Sequence, residues 1–408
     1  MMKGFFIFIF FSSSSAIALV GLDSLTTKLF EKSSELSALK QQLESKEALY
    51  SSSRSGFYPT LNAVGGWAEN KTDDLPTVQK GYIGYLEGRY NLFNGFKDRS
   101  LLKLSEIEYK LMKIEVEAKQ RELKTTLTEV TSDMILLHQF QKTLEEEYKI
   151  TELQMRLAAR KVSAGLTSSV DNLEFKLRES ELQIEKNQID QLHKEVHLKL
   201  MKLFGEDISD ADLSAIEFSA IDNLSIQNKK ITLENTLESQ KAQLSLAKAD
   251  YEKSQSTSDF LPKLDFLFNV GRLTPSENTP TQFNEYRYGL TLTIPLFSGF
   301  DTYYKVKASK LQASAAEKNK IQIENDVTVE FNILQSKASE LIKLYTINEL
   351  KLTNSETYFS MTLSEYKRGV KNSPDLVGAT ARLFSAKKKK FEILKELELL
   401  KVKTENLL

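Results

Sequence analysis

The feature that most restricts the fold is that this chain of 408 residues repeats itself. Gly95 and Gly299, Gly165 and Gly369, and Asp171 and Asp375 are each 204 positions apart, and Pro59 and Pro262 are 203 apart. Short motifs surround these landmarks. Phe57-Tyr58-Pro59-Thr60-Leu61 is echoed by Phe260-Leu261-Pro262-Lys263-Leu264, and Leu92-Phe93-Asn94-Gly95-Phe96 by Leu296-Phe297-Ser298-Gly299-Phe300. A register held over more than a hundred residues means two copies of one structural plan.

Between each proline and its Leu-Phe-x-Gly-Phe landmark the hydrophobic period is two. From Glu285 to Phe297, Tyr286, Tyr288, Leu290, Leu292, Ile294 and Leu296 share one face, and Glu285, Arg287, Gly289, Thr291 and Thr293 the other. Tyr82, Leu86, Tyr90 and Leu92 oppose Glu87, Arg89 and Asn91; Leu264, Phe266, Phe268 and Val270 oppose Lys263, Asp265 and Asn269; Leu61, Ala63 and Trp67 oppose Thr60 and Asn62. The spacing predicts two hairpins, 58–93 and 261–297, whose strands have about the ten-residue length of a transmembrane β-strand. Polar segments, Glu69 to Lys80 and Leu273 to Asn284, read as their surface loops. Trp67, Tyr82, Tyr90 and Tyr286, near strand ends, suit an aromatic girdle.

Elsewhere the period is helical. Leu104, Ile107, Leu111, Ile114 and Ala118 follow a 3,4 spacing, as do Leu127, Val130, Met134 and Leu137. Phe96 to about Val162 and Phe300 to about Tyr366 read as uninterrupted helices of roughly 100 Å, while 22–54, 170–203, 226–258 and 376–406 read as helices of about half that length. Gly165 and Gly369 can end the long helices in the left-handed conformation, and Ser373 is expected to N-cap the returning helix with Pro374 behind it. Asp171 and Asp375 stand in the first turns of the returning helices, a placement that capping and the helix dipole alone would explain.

Lys3, the apolar run Gly4 to Phe11, four serines and Ala16-Ile17-Ala18 read as a signal peptide over 1–18. The expected organisation is then a first structural repeat over 19–204 with its tip turn at 163–170, an equatorial insert over 205–228, and a second repeat over 229–408 with its tip turn at 367–374. The absence of cysteine excludes disulfides, thiolate metal sites, cysteine nucleophiles and a lipid-modified N-terminal cysteine. A net charge of −1 leaves no electrostatic footprint for nucleic acid. His193 and His197 stand four apart with no recognisable third ligand, and Lys387 to Lys390 read as a solvated helix face that could also meet an acidic partner. No phosphate loop, nucleophile elbow or catalytic acid pair is recognisable, so neither an enzyme nor a cofactor is expected.

Four strands cannot close a barrel, and open sheet edges cannot face lipid, so one such chain must share its barrel with others. The duplicated strand–turn–helix, the long helix, the glycine turn followed by an acid and the signal segment together resemble the TolC family of outer-membrane efflux proteins over about residues 20 to 405. The resemblance implies an α+β membrane protein: a homotrimer in the outer membrane of a Gram-negative bacterium, whose twelve-stranded β-barrel continues into the periplasm as a long α-helical barrel. It implies a passive exit duct of a tripartite efflux pump or a type I secretion system, in contact with outer-membrane lipid and engaged by a periplasmic adaptor and an inner-membrane transporter.

Matched to the family's gate, Asp171 follows Gly165 by six residues, Tyr366 and Lys371 flank Gly369, and Asp375 corresponds to a ring of acids at the pore entrance. Gly95 and Gly299 fall at the barrel–helix junction. Where the family pattern carries a further acid this chain has Gly378, which leaves a narrower cation-binding constriction without it. The resemblance leads us to expect that Tyr366 and Lys371 hold the tip closed through Asp171, with lysine making a single-point link where arginine could make two. The rival readings are a periplasmic coiled-coil scaffold without a pore, which leaves the amphipathic strands unused, and an ordinary porin, which needs many more strands per chain.

Overall fold

The computed structural model describes residues 14–70, 79–207, 218, 230–276 and 285–408. Among them the chain runs α1 (Ser14–Lys32), α2 (Ser34–Ser52), β1 (Thr60–Asn70), β2 (Gln79–Phe93), α3 (Lys97–Ser163), α4 (Ser169–Phe204), α5 (Leu237–Ser258), β3 (Lys263–Ser276), β4 (Glu285–Thr293), α6 (Asp301–Arg368) and α7 (Ser373–Leu407). The expected signal segment lies outside the described residues as far as Ser13, as do most of the two hairpin loops and of the equatorial insert. The described residues form two compact units. One draws on the stretches up to Ser37, Ala118–Leu233 and Val327–Leu408; the other comprises Ala38–Glu117 and Glu234–Asp326.

The second unit holds an antiparallel sheet of order β1-β2-β3-β4. Its register puts the predicted apolar residues side by side: Leu61 opposite Gly88, Trp67 opposite Tyr82, Tyr90 opposite Phe266, Phe268 opposite Tyr288 and Leu264 opposite Leu292. No described helix covers that face, and Leu61, Trp67, Tyr286, Tyr288, Leu290 and Leu292 are exposed on it. The opposite face carries Glu87, Arg89, Asp265 and Arg287, with Arg89 Nη2 donating to Asp265 Oδ2 at 3.1 Å. A side chain at Gly88 would collide with Phe268, whose ring atoms lie 2.3 Å from an added Cβ, so the aromatic ring fills the space left by the glycine. Among the described residues, the outer edges of β1 and β4 are unpaired.

The strand expected through Phe297 stops at Thr293. Pro295 has no N–H to give the ladder, whereas its counterpart Asn91 has one, and β2 runs on to Phe93. After each hairpin the chain turns into a long helix through two successive left-handed residues, Gly95 and Phe96 (φ 70° and 67°) and Gly299 and Phe300 (φ 63° and 65°). The strain at the phenylalanines is offset by packing: Phe96 meets Phe93 edge to face at 5.1 Å, and Phe300 meets Phe297 at 5.3 Å. Asn91 Nδ2 donates to Asp98 Oδ2 at 2.9 Å, and Lys97 reaches Asp259 at 3.3 Å, fastening the start of α3 to the adjoining strand and to the end of α5.

Four helix boundaries depart from expectation. The first helix, expected from 22, begins at Ser14, inside the segment expected to be the signal peptide. The helix predicted from residue 226 begins at Leu237, because Thr236 caps it by accepting from the Ser239 N–H at 3.3 Å. The stretch 22–54 breaks at Ser33, whose hydroxyl accepts from the Leu36 N–H and starts α2 afresh. Finally, α7 is capped by Asn372 rather than Ser373. Asn372 Oδ1 accepts from the Asp375 N–H at 3.2 Å while the Asp375 carboxylate turns back to the Asn372 N–H, a reciprocal capping box.

Candidate functional site

Both tips lie in the first unit. α3 ends where Gly165 adopts φ 70°, its N–H donating to the Val162 carbonyl and that of Leu166 to the Lys161 carbonyl. α6 ends at Gly369 (φ 83°) with the matching pair, to Tyr366 and Glu365. Glycine is needed because a Cβ disfavours this left-handed reversal. Each turn then restarts a helix on a polar cap, Ser168 for α4 and Asn372 for α7.

Behind the turns a small core forms from Ala158 of α3, Phe175 of α4, Tyr366 of α6 and Leu376 of α7, all fully buried. Tyr366 and Phe175 meet edge to face at 5.9 Å, and Lys161 Nζ lies 4.0 Å from the Tyr366 ring centre while donating to the Tyr366 carbonyl. The Tyr366 hydroxyl is buried with no hydrogen-bond partner among the described residues. Burial, with the Asp171 carboxylate adding to it, pushes its pKa up to about 12, so it stays protonated.

Asp171 links the two tips. Its Oδ1 accepts from the Ser373 hydroxyl at 2.6 Å, and its Oδ2 accepts from the Thr167 hydroxyl. Burial raises its pKa, but the hydrogen bonds from Ser373 and Thr167, with the Lys161 charge, outweigh that and hold the carboxyl below its ordinary value. The carboxylate thus sits against the first turn of a helix other than its own, where the dipole also favours it.

The expected Lys371–Asp171 link is absent within the chain. Lys371, the residue before the Asn372 cap, pairs with Asp375 in the first turn of α7 at 3.8 Å. Asp375 is occupied by its capping box and that long contact. The sequence reading missed Ser373, Thr167 and Lys161 as partners. The repeat register carried a signal for the first two: Ser169 matches Ser373, and Thr167 matches Lys371.

Farther along the same helices, Arg178 Nε donates to the buried Glu147 at 3.0 Å and Arg178 Nη1 to Glu181 at 2.7 Å. The lysine run of α7 is not a free face. Lys387 pairs with Glu146 at 2.7 Å, Lys388 with Glu185, Lys389 with Glu392 at 2.8 Å and Lys390 with Glu349 at 3.0 Å, so three of the four staple α7 to α3, α4 and α6. His197 Nε2 lies 2.9 Å from Asp207 Oδ1.

An amphipathic four-stranded sheet with two free edges, each hairpin continuing into a helix of 67 or 68 residues that reverses at a glycine tip, is the architecture of outer-membrane channels with a helical extension. The Vibrio cholerae outer membrane protein VceC has this fold, with a TM-score of 0.80 at 13% identity over 95% of this chain and 96% of that one. So do the Neisseria gonorrhoeae MtrE outer membrane channel in its open state (0.77, 16%, over 95% and 88%) and the Campylobacter jejuni CmeC outer membrane channel (0.76, 14%, over 95% and 86%). No curated protein matches the chain in sequence. The family model for outer membrane efflux proteins matches residues 25–206 and 230–397. The chain belongs to the outer membrane efflux protein family.

Proposed function

We propose that three copies of this chain form a passive exit duct, each contributing β1–β4 to one closed barrel, with the helices continuing as a tunnel gated at the tips. The observation that carries this reading is the sheet: its apolar face is uncovered and both edges are free, a combination lipid tolerates only when neighbouring copies close the barrel. The polar face, with Glu87, Arg89, Asp265 and Arg287, then lines the lumen. An inner-membrane transporter supplies the energy and a periplasmic adaptor engages the tips; the chain itself performs no chemistry. Residues 1–18 act as its export signal, the two repeats are 19–204 and 229–408, and 205–228 forms an equatorial insert.

At the gate, Asp171 holds the tips together through Ser373, the Tyr366 ring serves as the packing centre, and Lys371 steadies Asp375. Membrane fractionation with denaturing gels of unheated and boiled samples tests the assembly: the chain should fractionate with the outer membrane as a heat-modifiable trimer. A soluble monomer would instead support a periplasmic scaffold. Planar bilayers test the gate, where Asp171→Ala should conduct more than the unsubstituted chain.

A further inference from the structure

Gly95 and Gly299 stand at equivalent places, where a hairpin turns into a long helix, but the chain itself explains only one of them. Both adopt a left-handed backbone, and so do the residues that follow them, Phe96 (φ 67°) and Phe300 (φ 65°), each with a full side chain. The left-handed conformation alone therefore does not require glycine at this turn. At Gly95 the requirement is steric. An added Cβ would lie 2.6 Å from the Ser258 carbonyl oxygen and 2.8 Å from Leu261 Cβ, where the end of α5 leads into β3. At Gly299 an added Cβ would meet nothing within 4 Å.

The repeat names the neighbour that Gly299 lacks. Gly95 corresponds to Gly299 at an offset of 204, while Ser258 and Leu261 correspond to Ser55 and Tyr58 at the offset of 203 shared by Pro262 and Pro59. In its own chain that segment lies elsewhere, at the start of α3, where an added Cβ on Gly56 would meet Asp98 at 2.8 Å. Ser55 is exposed and Tyr58 is 66% exposed. The same side of the second junction is open at further points. β2 pairs with β3, but among the described residues β4 has nothing beyond it. Ser100 is buried, with Ser254 Oγ at 3.2 Å, but its counterpart Tyr304 is exposed, as are Phe297 and Leu296, the last at 93%. Lipid tails could cover such side chains, but they need no glycine; an approaching backbone does.

We propose that the open side of Gly299 receives the segment Ser55–Tyr58 of the next copy, the Ser55 carbonyl and Tyr58 closing on it as Ser258 and Leu261 close on Gly95. This rests on the trimeric channel reading and adds the contacts by which one copy recognises the next at the barrel–helix junction. Tyr58 then covers Leu296 and Phe297, and Tyr304 meets Ser51, the counterpart of Ser254. Inside the chain this contact joins two serines; between copies it joins a tyrosine to a serine, which buries more apolar surface.

Two substitutions of Gly299 separate backbone strain from close approach. Asparagine tolerates the left-handed conformation better than alanine does, but both carry a Cβ. Gly299→Asn and Gly299→Ala should each reduce the trimer band of unheated denaturing gels roughly tenfold, the scale of an overpacked contact. An asparagine variant that keeps the band at the unsubstituted level overturns the proposal. Because the chain has no cysteine, paired cysteines report contacts without background. Ser51→Cys with Tyr304→Cys, treated with a short bifunctional thiol reagent, should give covalent dimer and trimer on boiled gels. Ser100→Cys with Ser254→Cys should link within the chain and run as monomer. If the first pair shows the trimer band unheated, yet is wholly monomeric after treatment and boiling, the contact does not exist. Absence of the trimer band from the unsubstituted protein overturns the underlying reading as well.

Discussion

Asp171 is a carboxylate whose role depends on its charge. Its folded pKa is depressed, so its contribution to tip stability is complete above the ordinary aspartate value of 3.8 and is lost as pH falls through the lower, folded value. Conductance in bilayers should therefore be flat with pH above the ordinary carboxylate range and rise only below it; a rise nearer neutrality would point to another group. Tyr366 behaves differently. Its hydroxyl is buried without a partner, so Tyr366→Phe should leave tip stability unchanged or slightly higher, whereas Tyr366→Ala removes the centre of the small core and should cost about 3–5 kcal/mol, both read from denaturant midpoints of the detergent-solubilised protein. At the junction, Gly95→Ala faces both a left-handed backbone and a carbonyl oxygen that cannot swing away, so it should cost about 2 kcal/mol or more on the same assay.

Among the elements, α7 is tied by side chains to α3, α4 and α6. Its start depends on the reciprocal Asn372–Asp375 cap, and Asn372→Ala should cost about 1 kcal/mol. Ser373→Ala leaves that cap whole while removing the bond to Asp171, so the pair separates capping from latching: the first should lower thermal stability with little change in conductance, the second the reverse. Toward the middle of α3 and α4, Glu147→Ala would strip the half-buried Arg178 guanidinium of two of its hydrogen bonds, for about 3 kcal/mol, and Glu147→Ala with Arg178→Met should recover most of it. Element boundaries were legible where one residue decides the backbone, as at Gly165 and Gly369. They were misjudged where two polar residues compete, as with Asn372 and Ser373: propensity allows either cap, and the choice falls to whichever leaves the other free for a tertiary partner. Ser373 is taken by Asp171, which no local rule foresees.

For the whole molecule, the repeat register, the alternation of the strands and the length of the helices were in the sequence, because each depends on the period of the chain and on glycine or proline at fixed points. The family followed from their order. Tertiary structure alone decided that Asp171 takes the Ser373 hydroxyl, that Lys387, Lys388 and Lys390 face carboxylates on neighbouring helices, and that Lys161 lies against the Tyr366 ring. The physical reason is range. A period or a backbone dihedral is fixed by residues a few positions away, whereas the partner of a charged side chain is fixed by which helices lie beside it, and that is settled only when distant segments have packed.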